Sequence, residues 1–241
     1  MEVHAHTHTE RKKWTHYLWE FLMLFLAVSA GFFVENMREH YVEGKRTKVL
    51  SASLITDLQK DTALLNFLET KRLARRKSLD SFNILLHKPV KEIDQASFYG
   101  LLRKIYSIYT FSQARGTIDQ LRNAGYLRYF SDSRLLQHIS DYEFLIQDYK
   151  ADENIGMKWY DKFIEYTVNN LNQDAIDSAM QNKKYPRGTG IPELSLAVLK
   201  SLVANIVIQR ANNSIMKTQN EDLKKKGVEI MDYLHSTYHL K

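Results

Sequence analysis

The apolar run at residues 21–34, FLMLFLAVSAGFFV, constrains the fold of this chain more than any other feature of the sequence. All faces of a helix through these residues are apolar, so the amphipathic pattern of a surface helix is absent. Three interpretations are open: a membrane anchor, a cleaved export signal or a buried core helix. The missing amphipathic alternation argues against the core helix.

Length decides what the anchor interpretation requires. The run of 14 residues would span roughly 21 Å, against a hydrocarbon core of about 30 Å. Including residues 17–20, YLWE, gives 18 residues and about 27 Å. Trp14, Tyr17 and Trp19 then lie where an interfacial aromatic belt is expected. The sequence thus predicts a transmembrane helix at residues 17–34, with Glu20 just inside the membrane.

The signal-peptide interpretation has its own support. Basic residues 11–13, RKK, precede the apolar run, and Val28, Ser29 and Ala30 form a small-residue cleavage pattern. Apolar residues continue past that site through residues 31–34, which argues against cleavage. We therefore favour the anchor.

One face of the anchor combines a charge with small residues. At about 100° per residue, one stripe holds Glu20, Leu24, Ala27, Gly31, Val34 and Arg38. Small residues four apart let membrane helices approach closely, and an ionisable group in a membrane tends to face protein. We call Glu20, Ala27, Gly31 and Arg38 the anchor face, a candidate helix–helix interface. The alternative is that Glu20 extends to the headgroups and the small residues have no such role.

The number of basic flanking residues does not decide the orientation, but their distribution favours one. Three precede the anchor, and four follow it: Arg38, Lys45, Arg46 and Lys48. Arg11, Lys12 and Lys13 are clustered on the short N-terminal side, whereas the basic residues after the anchor are mixed with glutamates. This predicts a cytoplasmic N-terminus, a single pass through the membrane and an extracytoplasmic C-terminal domain. Residues 1–16 are expected to be a flexible His-rich tail.

The remaining sequence predicts an all-α protein. Only nine Gly and three Pro occur in 241 residues, and no strand-like alternation is evident. We expect a long helix at residues 35–90, with Gly44 as a hinge, and a helical bundle at residues 91–241. A leucine seam with heptad spacing favours either a stalk or one helix of a bundle. It consists of Leu54, Leu58, Leu65, Leu68, Leu79, Phe82 and Leu86, with breaks at Asp61, Arg72 and Arg75.

Local signals predict several helix boundaries. Asp94 is expected to cap a helix whose apolar face extends through Ile108 and Tyr109. Thr117 and Gln120 suggest a capping box, and Gly125 a helix end. A long amphipathic run at residues 131–171 is expected to break near Gly156. Residues 182–192 form a loop, with Pro192 in the first turn of a last helix that ends near His239.

Metal and cofactor sites are not expected. His4, His6 and His8 are metal-ligand types, but an unstructured tail gives them no fixed geometry. Asp232, His235 and His239 share a helix face without further ligands to complete a site. The chain has no cysteine, which excludes disulfides and thiolate sites.

No motif in the sequence predicts catalysis or nucleic-acid binding. Phosphate-binding glycine loops, HExxH and nucleophile elbows are missing. The basic run KRLARRK at residues 71–77 has no nucleic-acid-binding module around it, so a solvated helix face or an acidic partner is favoured. The net charge of +6 is consistent with anionic partners but is weak support.

Two blocks of sequence resemble a known family. The N-terminal MEVHAHTHTE, the following WEFLMLFLAV and the flank ENMREHY resemble uncharacterised bacterial single-pass membrane proteins with a His-rich N-terminus. TIDQLRNAGYLRYFSDSRLLQHISDYE, from Thr117 to Glu143, is similar to a second segment of that family. The resemblance implies an anchor and a helical domain, and it transfers no functional residues. We expect a membrane-anchored interaction or scaffold subunit that binds the bilayer and self-associates or binds a membrane protein. The alternative is a membrane-tethered sensor or ligand-binding domain.

Overall fold

The structure is a computed structural model that describes residues 14–123, 130 and 132–240. Within these residues there are six α-helices, one short 3-10 helix and no strand, so the all-α prediction is confirmed. The α-helices are α1 Trp14–Leu86, α2 Gln95–Tyr106, α3 Gly116–Asn123, α4 Ser133–Asn170, α5 Gln173–Met180 and α6 Leu196–Tyr238. The 3-10 helix Val90–Glu92 lies between α1 and α2.

The chain forms two compact units, Met1–Val49 and Leu50–Lys241. The described part of the first unit is the beginning of α1, which continues through Gly44 without the expected hinge. This part of α1 contains an 18-residue window that is long and apolar enough to cross a membrane, and none of that window is buried. It is the one candidate membrane span among the described residues.

In the second unit, the leucine seam packs inside the bundle. Leu58, Leu65 and Phe82 are at most 2% exposed. The other seam residues, Leu54, Leu68, Leu79 and Leu86, are also buried. Residues 50–86 are therefore one helix of the bundle core, which was one of the two alternatives for the seam.

The core of the second unit is divided into two apolar clusters. The first includes α1 up to Leu68, α4 up to Tyr149 and α6 from Met216. The second includes α1 from Leu79, α4 from Phe163 and α6 up to Ile206. The stretches between them are residues 69–78, 150–162 and 207–215. We call the polar side chains of these three stretches, together with the residues that they contact, the polar belt.

Two local predictions of helix starts agree only in part with the structure. Asp94 caps α2 as expected and accepts a hydrogen bond from Ser97 N at 2.8 Å, but α2 ends at Tyr106, before the expected Ile108 and Tyr109. The capping box is wrong, because α3 begins at Gly116 and Thr117 lies inside it. The acceptor for Thr117 N is Asp57 of α1, at 2.9 Å.

The predicted break and the predicted start of the last helix are also wrong. α4 continues through Gly156, where the missing Cβ leaves room for the Asn212 carboxamide of α6. α6 begins at Leu196 instead of Pro192, because Ser195 caps it by accepting from Val198 N. Its last residue is Tyr238, near the expected end. The prediction for Gly125 lies outside the described residues.

Candidate functional site

The anchor face is exposed throughout the first unit. Glu20, Ala27, Gly31 and Arg38 are all exposed, and a Cβ added at Gly31 would meet no atom within 4 Å. Arg38 donates to Glu35 in the preceding turn, with Nε and Oε2 at 2.9 Å. Glu20 has no hydrogen-bond or ion-pair partner within residues 14–123, 130 and 132–240. The face thus presents an unpaired carboxyl group and a small-residue surface on which a second helix could pack.

The apolar side chains around that face are also unburied. Their exposure ranges from 38% for Leu22 to 77% for Phe32, and Trp14, Tyr17 and Trp19 are exposed as well. A contiguous apolar surface of this kind is unfavourable in water and favourable in lipid or against another helix. Water alone is therefore a poor environment for this segment.

Within the second unit, Glu153 is the central acceptor of the polar belt. Its Oε1 accepts from Arg72 Nη2 at 3.1 Å and from the Phe111 backbone N–H at 3.0 Å, and its Oε2 accepts from Lys150 at 2.8 Å. Arg72 also donates to the Tyr149 hydroxyl. Since the side chains of Arg72 and Glu153 are only 16% and 8% exposed, each charge depends on the other for compensation.

Arg75 lies in the same belt and has no carboxylate partner among the residues that the structure describes. Its Nε donates to the Ile105 carbonyl at 2.8 Å, its Nη2 to Gln209 Oε1, and its guanidinium lies 5.4 Å from the ring centre of Tyr160. Burial lowers the pKa of Arg75 to about 10, and the positive charge of nearby Arg72 acts in the same direction. The guanidinium is charged at neutral pH, and its positive charge is not neutralised by these contacts.

A small polar cleft of about 40 Å³ opens beside these groups. It is lined by Arg72, Arg75 and Glu153 together with Asn213, whose Nδ2 is buried and has no hydrogen-bond partner. A volume of this size holds a few water molecules, since each needs at least ~10–15 Å³. The cleft is too small for an organic ligand.

A larger groove of about 480 Å³ lies on the surface of the second unit. We call it the basic groove. Its charged lining residues are all basic, and it shares Arg75 and Lys71 with the cleft. The full lining is Lys71, Ala74, Arg75, Lys77, Ser78, Ser81, Leu101, Lys104, Ser107 and Tyr109.

Two aspartates of α1 bind the segment that precedes α4. Asp57 accepts from the backbone and hydroxyl of Thr117, and Asp61 accepts from Ala114 N at 2.7 Å and from the Tyr142 hydroxyl at 3.0 Å. Burial raises the pKa of Asp61, and these hydrogen bonds only partly oppose it. For Asp57 burial is outweighed by the bonds from Thr117 and Lys60, so its pKa is lowered.

The candidate metal residues do not form a site in the described part of the chain. No group of three or more His, Asp or Glu side chains there is arranged to hold a metal. His235 contacts the Leu240 carbonyl, and His239 lies beyond the end of α6 with φ of 50°, so it does not continue the helix face of Asp232. His4, His6 and His8 lie outside the described residues.

The sequence indicated part of this arrangement. The breaks in the leucine seam at Asp61, Arg72 and Arg75 are among the α1 positions that make buried polar contacts, whereas Asp57, which makes them too, was not singled out. Glu153 and Gln209 were missed, because each is one polar residue among many on a long helix. The aligned polar stretches could have been found only by comparing α1, α4 and α6 in one register.

Comparison with known proteins gives no match: no protein-family model, curated protein or solved structure is similar to this chain.

Proposed function

We propose that this chain is a membrane-anchored helical interaction or scaffold subunit without catalytic activity. The observation that supports this is the unburied apolar window of α1, with Glu20 unpaired among the described residues and an open surface at Gly31 on the same face. Residues 17–34 would cross a bacterial cytoplasmic membrane once, and the anchor face would contact a second copy or another membrane protein. The resemblance of the N-terminal residues supports the bacterial assignment.

The orientation in this proposal comes from sequence alone. Three clustered basic residues, Arg11 to Lys13, precede the span, and cytoplasmic flanks are enriched in such residues. The domain after the span would then be extracytoplasmic. Accessibility of a cysteine introduced at exposed Lys225 to a membrane-impermeant thiol reagent tests this, because labelling in intact cells requires the outer location.

Self-association is assigned to the anchor face and not to the leucine seam. Leu65 and Leu79 of the seam are fully buried in the second unit, so using them between chains would require opening the core. The anchor face needs no such change. Replacing Ala27 or Gly31 by Leu should therefore separate the copies without unfolding the bundle.

The test measures oligomeric state in uncharged detergent by native mass spectrometry. We expect wild type to form oligomers, and Ala27→Leu and Gly31→Leu to weaken them by about tenfold or more. Ser29→Leu also replaces a small residue by Leu but lies about 180° from the stripe at 100° per residue, on the opposite side of the helix, and should have little effect. A wild type that is only monomeric, and binds no other membrane protein after crosslinking in native membranes, would refute the proposal.

A membrane-tethered sensor or ligand-binding domain is the second candidate. The basic groove favours it, because its volume of about 480 Å³ lies within the size range of small-molecule sites. The two candidates are compatible, since anchoring uses the first unit and ligand binding would use the second.

A further inference from the structure

The basic run at residues 71–77 does not form one solvated helix face. Arg72 and Arg75 make their contacts inside the polar belt. Lys71 and Lys77 are exposed at the basic groove, beside Arg75. The run therefore contains both largely buried cations, which make contacts in the polar belt, and exposed cations, which line the groove.

The positive charge of the groove is not compensated locally. Residues 71–107 contain nine Lys or Arg against three Asp or Glu. Among these acids, Asp80 pairs with Arg210 and Asp94 caps α2. Lys77 and Lys104 have no ion-pair partner in the described part of the chain. Their charges are available to a bound anion.

Arg75 adds a largely buried positive charge to the groove. A buried cation is unfavourable unless a negative charge accompanies it. Arg72 has Glu153 for that purpose, whereas the contacts of Arg75 are a carbonyl, a carboxamide and an aromatic ring. Of Arg72 and Arg75, it is Arg75 that also lines the groove. An anion bound in the groove would therefore provide the negative charge that Arg75 lacks.

A second unsatisfied group lies in the adjoining cleft. The cleft shares Lys71, Arg75, Ser107 and Tyr109 with the groove, and it contains the unpartnered amide donor Asn213 Nδ2. Buried donors are nearly always paired, so an orphan donor indicates a missing acceptor such as water or a ligand oxygen. Asn213 does not line the groove itself, so this donor marks an incompletely satisfied polar region that adjoins the groove.

We propose that the basic groove binds a phosphate-bearing anion. Lys and Arg donors are the usual partners of phosphate oxygens, and Ser81 adds an exposed hydroxyl on the same wall. An acidic peptide fits less well, because peptide grooves use apolar anchor pockets and the only aliphatic lining residues are Ala74 and Leu101. The ligand is a soluble phosphate compound or a phospholipid headgroup, which share this chemistry.

This inference rests on the second proposed function and names its ligand class. The full chain is studied in uncharged detergent at fixed ionic strength by isothermal titration calorimetry. Pyrophosphate is the soluble probe, and dihexanoyl phosphatidylglycerol is the lipid probe, with dihexanoyl phosphatidylcholine as its zwitterionic reference. Binding of pyrophosphate alone identifies a soluble ligand, and binding of phosphatidylglycerol alone identifies a headgroup. Either result, or both, supports the phosphate site.

The decisive variant is Lys77→Gln/Lys104→Gln. Both side chains are exposed, so the fold should persist, as circular dichroism would verify. We expect the Kd for the binding probe to rise by about tenfold or more. Lys200→Gln/Lys225→Gln removes the same charge from exposed positions outside the groove and should change Kd less than about twofold.

Two results would overturn the inference: neither phosphate probe binds, or the Lys77→Gln/Lys104→Gln variant weakens binding no more than the Lys200→Gln/Lys225→Gln control. Polyglutamate is added as a further probe, and its binding where the phosphate probes do not bind would identify an acidic protein partner. None of these results affects the anchor-face proposal, whose measurement is the oligomeric state.

Discussion

Replacing Glu153 by Gln should be among the most destabilising conservative changes in the second unit. The variant keeps one carbonyl acceptor but loses the charge that faces Arg72 and Lys150, and its new amide donor meets cationic donors. Removing one member of a buried ion pair costs about 3–5 kcal/mol. Because Lys150 is 39% exposed and can turn toward water, we expect a value near the lower limit, about 3 kcal/mol.

Urea unfolding of the full chain in uncharged detergent, followed by circular dichroism, measures this loss. With a slope of about 2 kcal/mol per molar urea, the midpoint should fall by about 1.5 M. Glu165→Gln is the matched control, because Glu165 is exposed on the same helix and should shift the free energy of unfolding by less than ~0.5 kcal/mol. Hydrogen exchange adds a local readout, since the Phe111 amide donates to Glu153 and should lose protection.

A double-mutant cycle with Arg72→Gln decides whether the pair is the cause. If each charge is costly mainly when its partner is missing, the double variant should be more stable than the sum of the single losses predicts, by roughly 1 kcal/mol or more. Simple additivity, or a midpoint shift no larger than that of the Glu165 control, would refute the ion-pair explanation.

Three further changes test other parts of the bundle. Gly156→Ala should cost about 1–3 kcal/mol because its Cβ would overlap Asn212, whereas Gly100→Ala meets open space in α2 and should gain up to ~1 kcal/mol; equal shifts in thermal unfolding would contradict this. Asp57→Ala should cost about 1–2 kcal/mol at neutral pH. The lowered pKa of Asp57 means that its contribution is present above the ordinary value of 3.8 and is lost as pH falls through the folded pKa, so the gap to wild type should close in acid. For Asp61 the folded pKa is raised, so its contribution is present below 3.8 and is lost as pH rises through the folded pKa. The free energy of unfolding of wild type should therefore fall between pH 4 and the folded pKa of Asp61, and that of Asp61→Asn should not. A variant that shows the same fall as wild type would contradict the raised pKa of Asp61.

Local signals in the sequence succeeded where the nearest neighbours in the chain decide the outcome. The Asp94 cap forms within one helical turn, and the burial of the leucine seam follows from its spacing. The capping box at Thr117 failed because the partner came from Asp57, 60 residues earlier. A local pattern contains no information about an acceptor on another helix.

The sequence by itself determined the helical class and the apolar segment at residues 21–34, because composition and periodicity act along a single helix. Tertiary structure decided the roles of the polar residues that interrupt the seam. Arg72 meets Glu153 across 81 residues, and Arg75 meets Gln209 across 134. Burial makes such groups costly unless a partner is present. Only the packing of α1, α4 and α6 supplies that partner for Arg72, and in the described part of the chain it leaves Arg75 without a carboxylate.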